Sequence, residues 1–67
     1  MQKDEFESHL KAILKVEDLH DSQSLEDLDS LDKVELLVIA ESYSQRLMKY
    51  EDVAKLKTLV ELMEFIR

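Results

Sequence analysis

The sequence predicts an all-α fold. Its 67 residues include no glycine and no proline, whereas the turns of β-hairpins usually need glycine or a residue like it. Apolar residues recur at intervals of three and four, which places them on one face of a helix, and they do not alternate as in a half-buried strand. A chain this short forms one domain with a small core. We therefore expect a single helical bundle over residues 1–67.

The composition excludes several classes of protein. Without cysteine the chain has no disulfides and no cysteine-based metal site, and its redox compartment is undetermined. It has no apolar run of 18 residues, as a membrane span requires, and its acidic N-terminus does not resemble a signal peptide. We therefore expect a cytoplasmic protein with no membrane span. The net charge of −7 argues against nucleic acid as a partner, because binding it requires basic residues that neutralise phosphates.

The negative charge is concentrated in one stretch. Residues 17–35 carry eight acids and one lysine, whereas residues 36–67 carry five acids and five bases. Plain solubility would fit a diffuse excess of negative charge better than this cluster. A cluster of this kind favours a partner enzyme with a Lys/Arg patch, because complementary charge steers encounter.

The first helix is predicted over residues 4–16. A capping pair, Asp4 and Glu7, is expected at its start. Its apolar side chains lie on one stripe of the helix. They are Phe6, Leu10, Ile13 and Leu14.

Residues 17–29 are predicted to form a long polar loop, and loops of this length in a small domain are usually functional. Three leucines can anchor it to the core, namely Leu19, Leu25 and Leu28. Residues 24–27 are expected to form one short capped turn.

No defined metal site is predicted. His9 and His20 each lack a second histidine at ligand spacing, so both are expected on the surface. Three acids of the loop could stand first in an EF-hand, but each lacks the glycine at position 6 and the glutamate at position 12 of that motif. They are Asp18, Asp21 and Asp27. A diffuse divalent-cation site is the weaker alternative.

The second helix is predicted over residues 30–46 as the central element of the bundle. Its apolar residues exceed a single stripe, so we expect other elements to cover it on more than one side. Its exposed strip begins with Asp32 and Glu35. The apolar residues are Leu31, Val34, Leu36, Leu37, Val38, Ile39, Ala40 and Tyr43.

Two shorter helices are predicted to complete the fold. After a tight connection at residues 47–50, residues 50–55 allow one or two turns of a third helix. Thr58 and Glu61 have the spacing of a capping box and are expected to begin a final helix that reaches residue 66. Met48 and Met63 are expected to fill gaps in the core.

The start of the second helix singles out Ser30. Asp29 is the expected N-cap, its carboxylate accepting from the backbone N–H of Leu31 or Asp32, and negative charge at Asp32 suits the helix dipole. Ser30 is then free of capping, at a helix end that accommodates phosphate. It is either an ordinary first-turn serine or the attachment point of a phosphate-bearing group. No His–Asp pair lies nearby in sequence to make it a hydrolase nucleophile.

The segment around this serine resembles a known modification motif. Residues 29–37 read Asp-Ser-Leu-Asp-Lys-Val-Glu-Leu-Leu, and this is similar to the 4′-phosphopantetheine attachment segment of acyl carrier proteins, Asp-Ser-Leu-Asp-x-Val-Glu-Leu. Residues 24–28 resemble the family's approach to that serine. Residues 55–59 and 63–66 resemble its last loop and last helix, so the resemblance covers most of the chain in order.

The resemblance implies a four-helix bundle of the acyl-carrier type with a short third helix. It implies that a phosphopantetheinyl transferase attaches 4′-phosphopantetheine from coenzyme A to Ser30, giving a phosphoprotein of lipid metabolism. The arm then carries acyl groups as thioesters to acyl-processing enzymes with basic docking patches, in fatty-acid or related biosynthesis. The carrier is not itself an enzyme, and we expect a monomer. The partner-docking residues implied are Asp29, Leu31, Asp32, Glu35 and Glu41.

The resemblance also implies a core loose enough to shelter an acyl chain, with Ala40 and Ala54 as small residues on facing elements. The chain departs from the family pattern in three places. The glycine before the motif is missing, the loop between the first two helices is short compared with the family's, and the proline and aromatic residue after the second helix are replaced around residues 44–49. A specialised discrete carrier for polyketide, aminoacyl or surface-glycan chemistry is therefore one alternative. The other is an acidic helical interaction module whose Ser30 is never modified.

Overall fold

The structure, a computed structural model, describes residues 1–66. Within that range it contains four α-helices and no β-strand, which confirms the all-α class. None of these helices combines the length and apolar composition needed to cross a membrane. The helices are α1 (Lys3–Leu14), α2 (Ser30–Ser44), α3 (Tyr50–Ala54) and α4 (Leu59–Phe65).

The helices enclose a small apolar core, and the side chains buried among residues 1–66 include no polar or charged one. The rings of Phe6 and Tyr43 stack with their centroids 4.3 Å apart, and this joins α1 to the second half of α2. Met48 and Met63 are partly buried against the core, as predicted. The buried side chains are Phe6, Leu10, Ile13, Leu25, Leu36, Ile39, Ala40, Val53, Leu56, Leu59, Leu62 and Ile66.

Both long helices end two residues before their predicted ends, at residues in the left-handed conformation. Lys15 follows α1 with φ of 60° and Gln45 follows α2 with φ of 59°. Helices commonly end on such a residue, usually glycine, but this chain has none. A side chain in this conformation costs roughly 1–2 kcal/mol. The backbone N–H of Gln45 donates to the carbonyl of Glu41 at 2.8 Å and so closes the last turn of α2.

The capping pair predicted for the first helix is wrong. The chain becomes helical earlier than expected, since the N–H of Phe6 already donates to the carbonyl of Gln2 at 3.0 Å. Gln2 is the N-cap, with no capping bond from its side chain to any residue in 1–66. Asp4 therefore lies inside the first turn, where its charge still suits the positive end of the helix dipole.

The loop between α1 and α2 docks onto the start of α4. Leu25 N–H donates to the carbonyl of Lys57 at 2.8 Å, and Leu59 N–H donates to that of Gln23 at 2.9 Å. Ser24 and Thr58 thereby form an isolated antiparallel β-bridge. Together with the bond from Val60 N–H to the carbonyl of Asp21 at 3.0 Å, these contacts are called the loop bridge below.

The predicted capping box of α4 is wrong. The first-turn N–H groups of Leu59 and Val60 are already taken by loop carbonyls. The Thr58 side chain makes no capping bond within residues 1–66, and Glu61 Oε2 accepts from the N–H of Lys57 at 3.4 Å. Carbonyls of a distant segment thus satisfy two first-turn N–H groups of α4, and no side-chain cap is formed.

The three leucines of the loop do anchor it, as predicted. Leu25 is buried, and Leu19 and Leu28 are partly buried against the core. Ser24 Oγ accepts from the backbone N–H of Glu26 at 3.2 Å, so the expected short turn is also present.

The prediction that α2 is covered on more than one side is only partly correct. The helix packs against α1 and α3, and it buries Leu36, Ile39 and Ala40. A second side, which includes Val34 and Val38, stays exposed, because the short helices of so small a bundle do not surround it.

The pairing of small residues expected beside α2 is not formed. Ala40 is fully buried, but Ala54 is exposed. Helix α3 has five residues and turns Val53 toward the core, so the residue that follows faces outward. These two residues therefore do not form the space for an acyl chain that the resemblance implied.

Candidate functional site

The start of α2 has the predicted cap. Asp29 is extended, with φ of −80° and ψ of 179°, and its Oδ1 accepts from the backbone N–H of Asp32 at 2.9 Å. The Asp29 carbonyl accepts the first helical bond, from Lys33 N–H at 3.0 Å. Of the two backbone N–H groups expected to donate to Asp29, those of Leu31 and Asp32, the second therefore makes the bond.

Ser30 is the first residue of α2 and is exposed. Because the Asp29 carboxylate performs the capping, the Ser30 hydroxyl is not needed to begin the helix. The first N–H groups of a helix lack intrahelical partners, and the positive end of the helix dipole favours negative charge there. A phosphate on this hydroxyl would stand where the backbone stabilises it.

The approach to Ser30 is held by the loop. Leu25 is buried and Leu28 is partly buried, so the residues just before Asp29 are fixed to the core. Beside them lies a polar hollow of about 200 Å³ that includes Lys15, Ser24 and Asp32 in its lining. The serine is thus presented by an anchored segment.

Four of the five predicted docking residues lie within two turns of Ser30. Asp29, Leu31 and Glu35 are exposed, and Asp32 is half-buried. Two acids and one apolar side chain therefore face solvent beside the serine, and a third acid is partly accessible.

Glu41 lies apart from these four. Its Oε2 accepts from the backbone N–H of Met48 at 3.0 Å, so its carboxylate closes the connection between α2 and α3. At about 1.5 Å of rise per residue, it lies roughly 16 Å along the axis from Ser30.

An exposed apolar row runs along α2 from the serine. Leu31, Val34 and Val38 are 74, 44 and 58% exposed, and they follow Ser30 by one, four and eight residues. Only Leu31 was expected to be accessible. The spacing in the sequence could have indicated that Val34 and Val38 are exposed. At about 100° per residue, the three residues of the row lie on a different side of the helix from Leu36 and Ile39.

A groove of about 380 Å³ adjoins the apolar row. It lies between α1 and α2 and is called the α1–α2 groove below. The sequence did not predict it, because its two walls come from segments that are distant along the chain. Its lining consists of His9, Ala12 and Ile13 from α1 and Val34, Glu35, Val38 and Ile39 from α2.

Comparison with protein-family models, curated proteins and solved structures finds no match. A function must therefore be argued from the segment at residues 29–37 and from its geometry.

The described part of the chain, residues 1–66, contains no group of three or more His, Asp or Glu side chains placed to hold a metal ion. His9 and His20 are exposed, as predicted. The acids of the loop are exposed as well.

Proposed function

We propose that the chain is an acyl carrier protein, with a 4′-phosphopantetheine arm on Ser30. The arm's thiol carries acyl groups as thioesters and presents them to enzymes of fatty-acid or related biosynthesis. One observation carries this proposal. Ser30 stands exposed at the first position of α2, released from capping by Asp29, inside a segment that resembles the attachment motif of that family.

The Ser30 hydroxyl is the nucleophile of the attachment reaction in this proposal. Ser30 Oγ attacks the pantetheine-bearing phosphorus of coenzyme A, an O–P bond forms, and the P–O bond to the nucleotide breaks. Adenosine 3′,5′-bisphosphate leaves, and the serine proton is released. The phosphodiester keeps one negative charge, which the N-terminal end of α2 stabilises. The transferase performs the catalysis, and the chain itself is a carrier and not an enzyme.

The surface around Ser30 supports docking to a basic partner. Asp29 and Glu35 supply exposed negative charge and Leu31 an exposed apolar contact, with Asp32 partly accessible between them. Such a surface steers a Lys/Arg patch on the transferase or on an acyl-processing enzyme toward the arm. In this proposal the protein acts as a cytoplasmic monomer, and the tether raises the effective concentration of its cargo.

Intact mass spectrometry tests the proposal. The purified chain is incubated with a broad-specificity phosphopantetheinyl transferase and coenzyme A. Attachment should add about 340 Da. Ser30→Ala should gain nothing, and Ser42→Ala should load normally, since Ser42 is an exposed serine of the same helix. No mass gain in the wild-type chain, or a gain that persists in Ser30→Ala, would reject the assignment.

A specialised carrier for polyketide, aminoacyl or surface-glycan chemistry shares this site and differs in cargo. Mass spectrometry of the chain isolated from its own cells would identify the group on the arm and so separate these carriers.

An unmodified acidic interaction module is the alternative from another class. The exposed apolar row of Leu31, Val34 and Val38 favours it, because such a row binds a partner whether or not Ser30 is modified. Under this alternative, the Ser30→Ala variant would retain every interaction of the wild-type chain.

A further inference from the structure

The polar hollow beside the approach to Ser30 has walls on either side of that residue in the sequence. Leu28, two residues before the serine, and Asp32, two residues after it, both line the hollow. Two residues of a helix span about 3 Å along its axis. A group attached to the Ser30 hydroxyl therefore begins close to this space.

Hydrogen-bonding side chains of the loop form part of the lining. Gln23 holds the loop through its backbone, since its N–H donates to the carbonyl of His20 and its carbonyl accepts from Leu59 N–H, both at 2.9 Å. The Gln23 side-chain amide is therefore not needed for that task. Ser24 Oγ accepts from the N–H of Glu26 at 3.2 Å, and its hydroxyl hydrogen can still donate. The hollow thus offers both donors and acceptors to an occupant.

Apolar side chains also line the hollow. Ile13 is buried, and Leu14 and Leu28 are partly buried against the core. Because the core already holds these side chains, an occupant contacts them without the entropy cost of ordering them.

The charged residues of the lining favour a neutral occupant. They are one lysine, Lys15, and two acids, Asp27 and Asp32, so the lining has no excess of positive charge with which to hold an anion. Lys15 and Asp27 are exposed and remain hydrated when a neutral group binds. A neutral polar segment that also carries apolar groups matches this lining best.

The volume of the hollow, about 200 Å³, limits what it can hold. Pockets that bind independent small ligands usually have roughly 300–1,000 Å³. At about 30 Å³ for each water-sized group, the hollow holds roughly seven such groups. One segment of a tethered molecule therefore fits better than a whole free ligand, because a short tether supplies an effective concentration in the millimolar range.

We propose that the polar hollow receives the pantoate segment of a 4′-phosphopantetheine arm on Ser30. This segment follows the phosphate and carries two geminal methyl groups, a hydroxyl and an amide. The methyl groups pack against Leu14 and Leu28, and the hydroxyl and amide form hydrogen bonds with Gln23 and Ser24. The inference rests on the proposed function, which supplies the arm.

The arm then has a resting place that leaves the docking residues clear. Leu31 and Glu35 do not line the hollow, so a partner can dock on them while the arm rests. At an effective concentration of about 1 mM, an intrinsic Kd of about 1 mM keeps the arm in the hollow for roughly half of the time. A partner enzyme has to draw the arm out before it reaches the thiol.

Nuclear Overhauser effects (NOEs) in the loaded chain test the location. The chain is labelled with ¹³C and ¹⁵N and loaded with an unlabelled arm, so that isotope filtering selects contacts between the two. We expect NOEs from the geminal methyl groups of the arm to the methyl groups of Leu14 and Leu28. NOEs to Val34 and Val38 instead, or none to any residue that lines the hollow, would overturn the inference.

Free pantetheine tests the hollow without attachment. It is titrated into the ¹⁵N-labelled Ser30→Ala chain and should shift the amide signals of Gln23, Ser24 and Leu28 with a Kd on the order of 1 mM. Inorganic phosphate is the control and should not shift these signals. The absence of shifts at about ten times that concentration of pantetheine, or equal shifts with phosphate, would refute binding of this neutral segment.

Paired glutamine variants test the hydrogen bonds. Gln23→Ala removes the side-chain amide, whereas the loop bridge uses only the backbone of this residue. Gln2→Ala removes the same group from an exposed residue at the start of α1. We expect Gln23→Ala to weaken the binding of free pantetheine about fivefold and Gln2→Ala to stay within about twofold of the parent chain, with the circular dichroism of both unchanged. Equal affinities in the two variants would contradict the proposal.

The mass measurement separates this inference from the proposed function. A chain that loads on Ser30 but shows no NOE within the hollow would overturn this inference alone. A wild-type chain that gains no mass would overturn the carrier function. The shifts caused by free pantetheine need no attachment, so they would then decide separately whether the hollow binds this group.

Discussion

Oδ1 of Asp29 lies 2.9 Å from the backbone nitrogen of Asp32, and Ser30 and Leu31 lie between the two bonded residues. The cap holds the first turn of α2 in shape while leaving the serine hydroxyl unused. Asp29 therefore fixes the shape of the turn and Ser30 supplies the accessible hydroxyl. Substitutions at the two positions test these properties separately.

Removing the cap should destabilise the domain. Asp29→Ala deletes the acceptor for the Asp32 N–H and should cost about 1 kcal/mol, which lowers Tm by roughly 4–8 °C in a domain of this size. Asp29→Asn removes the same negative charge but keeps an acceptor, so it should melt near the wild-type temperature. Thermal unfolding followed by circular dichroism measures both. If the two variants melted alike, the charge at residue 29 and not the cap would be responsible.

Reversing charge beside Ser30 should slow arm attachment. Asp32→Lys combined with Glu35→Lys replaces attraction to a basic transferase with repulsion, and the effect should be largest at low ionic strength because salt screens exposed charges. The matched control is Glu51→Lys combined with Glu64→Lys, two exposed acids on α3 and α4. Initial rates of the mass gain across a salt series measure the effect. Equal rates in both double variants would mean that net charge, and not the surface at Ser30, sets the rate.

Relieving the left-handed residue that ends α2 should stabilise the fold. Gln45 has φ of 59°, which glycine adopts without a clash with Cβ. Gln45→Gly should therefore raise the free energy of unfolding by about 0.5–1 kcal/mol, while Gln45→Ala keeps the clash and should not. Urea unfolding of the two variants gives the comparison. A stabilising alanine would show that the long side chain, and not the backbone angle, is the cost.

Salt should raise the melting temperature at neutral pH. The eight acids of residues 17–35 repel one another more in the folded chain than in an expanded one, and screening weakens this repulsion. Because no three ligands cluster for a metal within residues 1–66, magnesium and sodium chloride should act alike at matched ionic strength. Melting in both salts tests this. A larger rise with magnesium, abolished by Glu35→Gln, would point to a specific cation site instead.

The cap at Asp29 could be predicted because donor and acceptor are three residues apart, and local geometry decides the bond. The capping box at Thr58 has equally good spacing but fails. The neighbouring N–H groups of Leu59 and Val60 bond the carbonyls of Gln23 and Asp21, which are more than thirty residues away along the chain, and Glu61 accepts from the N–H of Lys57. Local patterns do not reveal such competitors.

Exposure along α2 was hard to predict for a related reason. The apolar character of Val34 and Val38 is plain in the sequence, but whether they are covered depends on how many helices reach that side. Ser30 needs only its own turn to be recognised, whereas the α1–α2 groove exists only after two distant helices meet. The exposed position of Ser30 at the start of α2 could therefore be predicted from the sequence, and the groove could not.

The loop bridge has a consequence for how freely this protein can change. Its three bonds join main-chain atoms of Asp21, Gln23 and Leu25 to main-chain atoms of residues 57–60, so the bonds themselves do not depend on which side chains occupy positions 21 and 23. The charge and polarity of residues 21 and 23 can thus change while the backbone of the loop that leads to Ser30 keeps its path. In the proposed carrier, substitutions at these positions of the loop would alter the surface that partner enzymes meet and leave the fold unchanged.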